Sequence, residues 1–242
     1  MNKQDDDIII ILAARYYIYD LLQHIFGNEP SLKLLEIVTS GHTVQSLQIL
    51  ESGNSKSPDI LTLLNQLRDA ISSDPEYTLE NLKTEYTALL IGPLQLPAPP
   101  WESVYRSKER LIFQESTLVV RRAYLKYQFL PANYPHEADD HLALELDFMA
   151  NLAKLTLDRF EKNCTDEAVK LLNDQRLFLE NHLLFWIDKF AHLIQDSKTH
   201  HFYPQIALFT ACFLKQDLTV INDLSSVLHN KENTTLSLLR KG

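Results

Sequence analysis

Apolar residues recur at helical spacing along almost the whole chain, and that spacing predicts the elements. The first helix follows Asp5-Asp6-Asp7, which offer an N-cap and negative charge at the positive end of the helix dipole. It carries Leu12, Tyr16, Tyr19, Leu22 and Phe26 on one stripe and ends at Gly27-Asn28. Short helices are expected at 31–39 and 43–51, followed by a polar loop to residue 57. Ser57-Pro58 then opens a helix with proline in its first turn, along which Ile60, Leu64, Leu67 and Ile71 repeat. Asp74-Pro75 breaks that pattern, and another helix is expected over 78–90.

Residues 91–105 read differently. Pro93, Pro97, Pro99 and Pro100 bar a helix from crossing, yet Ile91, Leu94, Leu96, Trp101, Val104 and Tyr105 are too apolar for a free linker. The spacing predicts an ordered loop packed against helices, a class of segment that often carries function. A helix over 115–129 follows, then a break at 131–138 that marks a hinge between an N-terminal half, 1–130, and a C-terminal half, 139–242. Helices are expected at 139–162, 166–195 and 203–214, with a weaker one at 219–229 and a frayed tail from Asn230. Leu172, Leu179, Leu183, Trp186, Phe190 and Leu193 form a heptad-like stripe in the second of these. No segment alternates with period 2. The fold class is therefore all-α: a single domain, a compact bundle of about ten helices with an ordered proline-rich loop.

Composition narrows the function classes. The net charge is −9 and the hydrophobic content 45%, which excludes a disordered chain and argues against nucleic acid or an anionic membrane as main partner. With only 5 glycines and no GxGxxG or GxxxxGK[ST], the familiar phosphate loops are missing. Cys164 and Cys212 lie in apolar-periodic segments and read as small core residues. The longest apolar run, 8–14, is well short of the roughly 20 residues of a membrane span, and its acidic preface is the wrong charge for a secretory signal. A cytoplasmic protein without stable membrane insertion is expected.

On a wheel at about 100° per residue, the helix after Pro135 places Asp140, Asp147, Asn151, Lys154 and Asp158 on a solvated face, and His141 and Glu145 inside the apolar arc. Two ionisable groups on a buried arc need a partner. They are either a mutually satisfied structural pair or the wall of a cleft in which a carboxylate receives a guanidinium. A metal site built from His136, Asp140, His141 and Glu145 is disfavoured, because Asp140 points away from the other two and no second ligand helix exists; His200-His201 reads as an exposed helix start. No nucleophile motif occurs, so no catalytic residue, metal or cofactor is assigned. Trp101 and Tyr105 are either a plug holding the proline loop down or a rigid aromatic binding surface, with Tyr86, Leu89 and Leu90 as neighbours.

Two motifs carry a resemblance. Glu85-Tyr86-Thr-Ala-Leu89-Leu90-Ile-Gly92-Pro93, followed by Pro99-Pro100-Trp101-Glu-Ser103-Val104-Tyr105, resembles the first signature of the TorD/DmsD/NarJ family of redox-enzyme maturation chaperones. Asp139-Asp140-His141-Leu-Ala-Leu-Glu145-Leu-Asp-Phe148-Met149 resembles the family's Pro-x-Asp-His hinge and following helix, and His182-Leu-Leu-Phe-Trp186 is a weaker third match. The chain departs from the family pattern at Ala138, where Pro is usual, at Leu90 for Phe, at Glu102 for Gly and at Phe185 for Pro. The resemblance implies a cytoplasmic, non-catalytic chaperone. Its partner would be the catalytic subunit of a molybdopterin-containing oxidoreductase of the dimethyl sulfoxide or trimethylamine N-oxide reductase type, held by its twin-arginine signal peptide or its body until cofactor insertion. The family's signal-peptide residues carry over to Pro100, Trp101, Asp140 and His141, with Leu89 and Leu90 lining the groove. Tyr86, Ser103, Tyr105 and Glu145 complete the expected client-binding set. A monomer or a homodimer that exchanges C-terminal halves is expected. The competing reading is a helical metal-dependent hydrolase or nucleotide-binding protein using the His/Asp/Glu cluster.

Overall fold

A computed structural model describes residues 3–51, 59–92, 96–107, 112, 114–131, 137–197 and 202–239, with side chains as far as Asn230. Most of the expected hinge, the Ser57-Pro58 start and His200-His201 lie outside the described residues. Among the described residues the chain is helical, with no strand beyond an isolated bridge between Trp101 and His141.

Helix α1 (Lys3–Gly27) already contains Asp5 and Asp6 in its first turn, so they serve the dipole rather than the cap. By length and composition it is the one described helix apolar enough to cross a membrane. Here its stripe of Leu12, Tyr19, Leu22 and Phe26 is buried, packed lengthwise on α8 (Leu142–Glu161). Gly27 makes the close approach possible, since a Cβ there would sit 2.9 Å from that of Ala143. Helices α2 (Leu32–Val38) and α3 (Gly41–Leu50) start at Ser31 and Ser40, whose hydroxyls accept from the backbone N–H three residues on. Helix α4 (Ile60–Ser73) is capped by Asp59. The Asp74-Pro75 break is narrower than expected: Asp74 caps α5 (Pro75–Tyr86) and Pro75 is its first residue, where a missing N–H costs nothing.

A π-helical turn, Thr87–Ile91, extends α5 and closes on Gly92, whose φ of 88° is left-handed backbone that glycine accepts without strain. Short α6 (Glu102–Arg106) interrupts the proline loop, and α7 (Glu115–Lys126) follows. The expected helix over 166–195 is α9 (Thr165–Phe178) and α10 (Leu184–Gln195), joined by a second π-turn at Leu179–Leu183. The two C-terminal helices expected are one, α11 (Phe202–Leu239), continuous through both the expected gap and the expected tail. Cys164 stands at the N-terminal boundary of α9 and Cys212 on α11; both are half-buried, not core residues.

The core runs between α1, α8, α9, α10 and α11. At its centre Arg15 of α1, fully buried, gives Nε to Asp217 Oδ1 at 2.6 Å and one Nη to Asp217 Oδ2 at 2.9 Å and Gln175 Oε1 at 2.7 Å. Tyr19 donates to the same Asp217 carboxylate at 2.7 Å. Three helices are thereby pinned by one guanidinium.

Candidate functional site

The proline loop and the start of α8 are stitched together by backbone. Leu142 N–H donates to Pro100 C=O at 2.9 Å, and Glu102 N–H to Asp140 C=O at 3.0 Å. The rings of Trp101 and His141 meet edge to face at 5.5 Å. Trp101 Nε1 donates to Glu137 Oε1 at 2.8 Å, while His141 Nδ1 accepts Ala143 N–H at 3.1 Å as the cap of α8. Burial lowers the pKa of His141 against the opposing charges of Glu137 and Asp140, which suits a neutral acceptor.

The helical wheel misplaced Asp140. Since α8 starts only at Leu142, Asp140 lies in the preceding turn and is fully buried, not on the solvated face. Its Oδ2 accepts Ser103 N–H at 2.7 Å and its Oδ1 accepts the Thr117 hydroxyl at 2.9 Å. Asp139 accepts Arg121 Nε at 2.6 Å and, through its carbonyl, the Tyr124 hydroxyl at 2.8 Å. These acids order α6 and α7 against α8, and neither presents a free carboxylate.

Behind Asp140 lies a buried polar knot. Glu102 bonds to Arg106 Nε and faces His182 Nδ1 at 3.0 Å. Glu145 accepts Trp186 Nε1 at 3.3 Å through Oε2, and its Oε1 has no donor among the described residues. Burial and the charge of Glu102 raise the Glu145 pKa well above the usual range. Burial would raise Glu102 too, but hydrogen bonds from His182 and Glu145, with the charges of His182 and Arg106, outweigh it and hold Glu102 low. The pair therefore shares one proton, carried by Glu145. Glu102, Glu145 and His182 bring donor atoms within 4.8 Å of one another, a set that could also hold a metal ion. Arg106 and the shared proton already balance its charge. Tyr105 stacks on Trp186 at 5.1 Å, closing the knot from the loop side.

Tyr86, Leu89 and Leu90 are buried rather than groove-lining. Tyr86 packs on Tyr203 of α11 at 5.6 Å. Burial, with the charges of Glu29 and Glu137, raises its pKa to about 12. The structure thus joins Trp101, Ser103, Asp140, His141 and Glu145 in one assembly, with Pro100 in its backbone bridge, while Tyr86 packs elsewhere, on Tyr203. Glu137, the acid within the expected hinge just ahead of Asp139 and Asp140, was not among the expected site residues.

An open hollow of about 710 Å³ lies elsewhere, between α4, α5 and α11, lined by Leu63, Leu67, Tyr77, Leu82 and Phe202 among others. Among the described residues its charged lining consists of Asp74 and Glu85. Glu85 accepts the N–H groups of Phe202 and Tyr203 at 3.2 Å, capping α11; Asp74 is exposed.

A profile of the nitrate reductase delta subunit family matches residues 54–192, more than half of the chain. The chain belongs to this family. The TorD chaperone of Aliivibrio salmonicida is 26% identical over 204 residues, 84% of this chain and 93% of that protein. The probable Tat proofreading chaperone DmsD of Haemophilus influenzae is 32% identical over 137 residues, 57% of this chain and 60% of that protein. A solved structure described as a putative redox enzyme maturation protein of Archaeoglobus fulgidus is 22% identical, with a TM-score of 0.46 and 83% and 91% of the two chains covered. The family model and the named relatives place the chain in the TorD/DmsD/NarJ family, and those relatives carry chaperone rather than enzyme names.

Proposed function

We propose that this chain is a cytoplasmic chaperone that holds the twin-arginine signal peptide of a molybdopterin-containing oxidoreductase until the enzyme has matured. The observation that carries the reading is the hollow between α4, α5 and α11, with apolar walls, the exposed carboxylate of Asp74 and no cation among its described lining residues. A twin-arginine leader is cationic at one end and apolar and helix-prone beyond it, and such a peptide needs an acid beside an apolar groove. Asp74, exposed at the start of α5 with Glu76 in the same first turn, is the carboxylate for a guanidinium. The half-buried Trp101, pinned by Glu137 and His141, is the aromatic contact. Asp140 and Glu145 act behind it as supports, because their carboxyls are buried. The names of the relatives, TorD and a Tat proofreading DmsD, support the partner class.

The test is fluorescence anisotropy with a labelled leader peptide of a molybdoenzyme precursor. Replacing both arginines by lysine is expected to weaken binding about tenfold, because an ammonium cannot make the bidentate pair. Asp74→Asn keeps the helix cap and should weaken the Arg peptide while leaving the Lys peptide nearly unchanged. Equal affinity for both peptides, with no effect of Asp74→Asn, would remove the acidic hollow from the mechanism.

A further inference from the structure

A second groove lies between α7 and α9, floored by Phe148 and Leu152 of α8, with a cavity of about 200 Å³. That is small beside the roughly 300–1,000 Å³ of small-molecule sites, so it takes side chains of a partner rather than a cofactor. Val119 and Leu177 line it and are exposed, and Leu118 and Leu125 stand exposed on the same helix α7, Leu125 at 65%. The π-turn brings Asn181 and His182 into its wall. Arg106 bonds to the Asn181 carbonyl and lies 4.1 Å over the ring of Phe185, extending the apolar face past the groove's end. On a chain of net charge −9, the groove's own Lys126 and Asp174 pair with each other, and two further cations stand beyond its rim. Arg122 on the Leu118–Leu125 stripe and Lys189 beside Phe185 have no carboxylate partner among the described residues. The nearby acids are occupied: Asp174 by Lys126 and the Tyr127 hydroxyl, Glu180 by Arg176, Glu102 by Arg106.

We propose that this groove docks an amphipathic helix with an acidic polar face, supplied by the client enzyme's body. Leucine-type side chains of that helix would enter between Val119 and Leu177, and its carboxylates would meet Arg122 and Lys189. The groove would repel a cationic leader, so the two surfaces sort two chemically opposite parts of one client. The inference rests on the chaperone reading, but not on where the leader binds.

The probe is a synthetic helix with leucines at i, i+3, i+4 and i+7 and glutamates on the opposite face, compared with the same helix carrying lysines. The glutamate helix is expected to bind at least about tenfold more tightly, and to weaken several-fold as salt rises from about 50 to 500 mM. Val119→Asp with Leu177→Asp should abolish binding. Arg122→Glu with Lys189→Glu should invert the preference between the two peptides. Arg122 and Lys189 are exposed, so that pair should leave the melting temperature unmoved, and it alone decides the question if the pair in the apolar lining, Val119 and Leu177, folds poorly. Twin-arginine peptide binding should be unchanged in both, so loss of leader binding and loss of helix binding are separable results. The proposal is overturned if the two helices bind equally, if neither binds at about 100 μM, a weak limit for such recognition, or if Leu177→Asp splits a wild-type dimer, which would make the occupant a second copy.

Discussion

Replacing Glu145 by glutamine should make stability less sensitive to pH, and the sign of the effect follows from the knot. Glu145 is fully buried and its carboxyl is driven neutral by burial and by the charge of Glu102. Its folded pKa lies above the unfolded value of about 4.3. The stabilisation from this group is therefore complete below that value and is lost as pH rises toward the folded pKa. Over that window the wild type loses about 1.4 kcal/mol for each pH unit. Glutamine keeps an N–H donor for Glu102 and has no proton to lose. The groups facing Glu145 are Glu102 and Arg106 of α6, Asp140 ahead of α8, His182 of the π-turn and the Trp186 indole, and none of them is altered in the variant. Asp147, raised to about 6 by burial and by Asp20, tilts both curves alike and cancels in the difference, as does the lowered pKa of His141. Urea unfolding of both proteins from pH 5 to 8 measures the difference. It should grow with pH at the stated slope until Glu145 ionises and then level off. Parallel curves throughout would refute the shared-proton assignment.

Asp217→Ala leaves the buried Arg15 guanidinium without its counter-charge and should cost about 3–5 kcal/mol, a fall in melting temperature of roughly 10 °C. Adding Arg15→Met should recover most of it, and a single variant that melts within about 2 °C of wild type would contradict the network. Gly27→Ala should destabilise by about 1–3 kcal/mol through its clash with Ala143. Ala143→Gly in the same chain should restore the loss in a chemical denaturation series, and failure to do so would place the strain elsewhere.

The helices were legible where one apolar stripe faces one core, as along α1 with Leu12, Tyr19, Leu22 and Phe26. The π-turns were not, because one extra residue per turn leaves the apolar spacing of Leu179 and Leu183 intact. Asp140 was misread because a wheel extended past His141 continues a helix that the cap has already stopped. Glu102 reads locally as a substitution for glycine; its meaning comes from His182, eighty residues on, and no local pattern shows that pairing. The Arg15–Asp217 pair spans still more of the chain, although a lone arginine in the run from Ile8 to Tyr19 was a signal that some buried acid must answer it.

Both open grooves border a π-turn. Ala88, in the turn that extends α5, lines the acidic hollow, and Asn181 and His182 line the basic one. A π-turn widens a helix and loosens its ladder, and such bulges recur at functional positions. The second also carries His182 into the knot with Glu102, which lies next to Trp101 in sequence. The basic groove and the proline loop therefore share an element. A helix entering between α7 and α9 presses on His182, and His182 holds Glu102 and hence the N-terminus of α6. Disturbing that contact changes the support of Trp101 without touching the leader. We expect occupancy of one surface to be felt at the other through these packed and hydrogen-bonded groups. It predicts that a Glu102→Gly variant uncouples them. The acidic helix alone should bind it as it binds wild type, while its effect on the affinity of the leader, read by anisotropy with both present, should vanish. If the coupling is the same in wild type and variant, the knot does not transmit it.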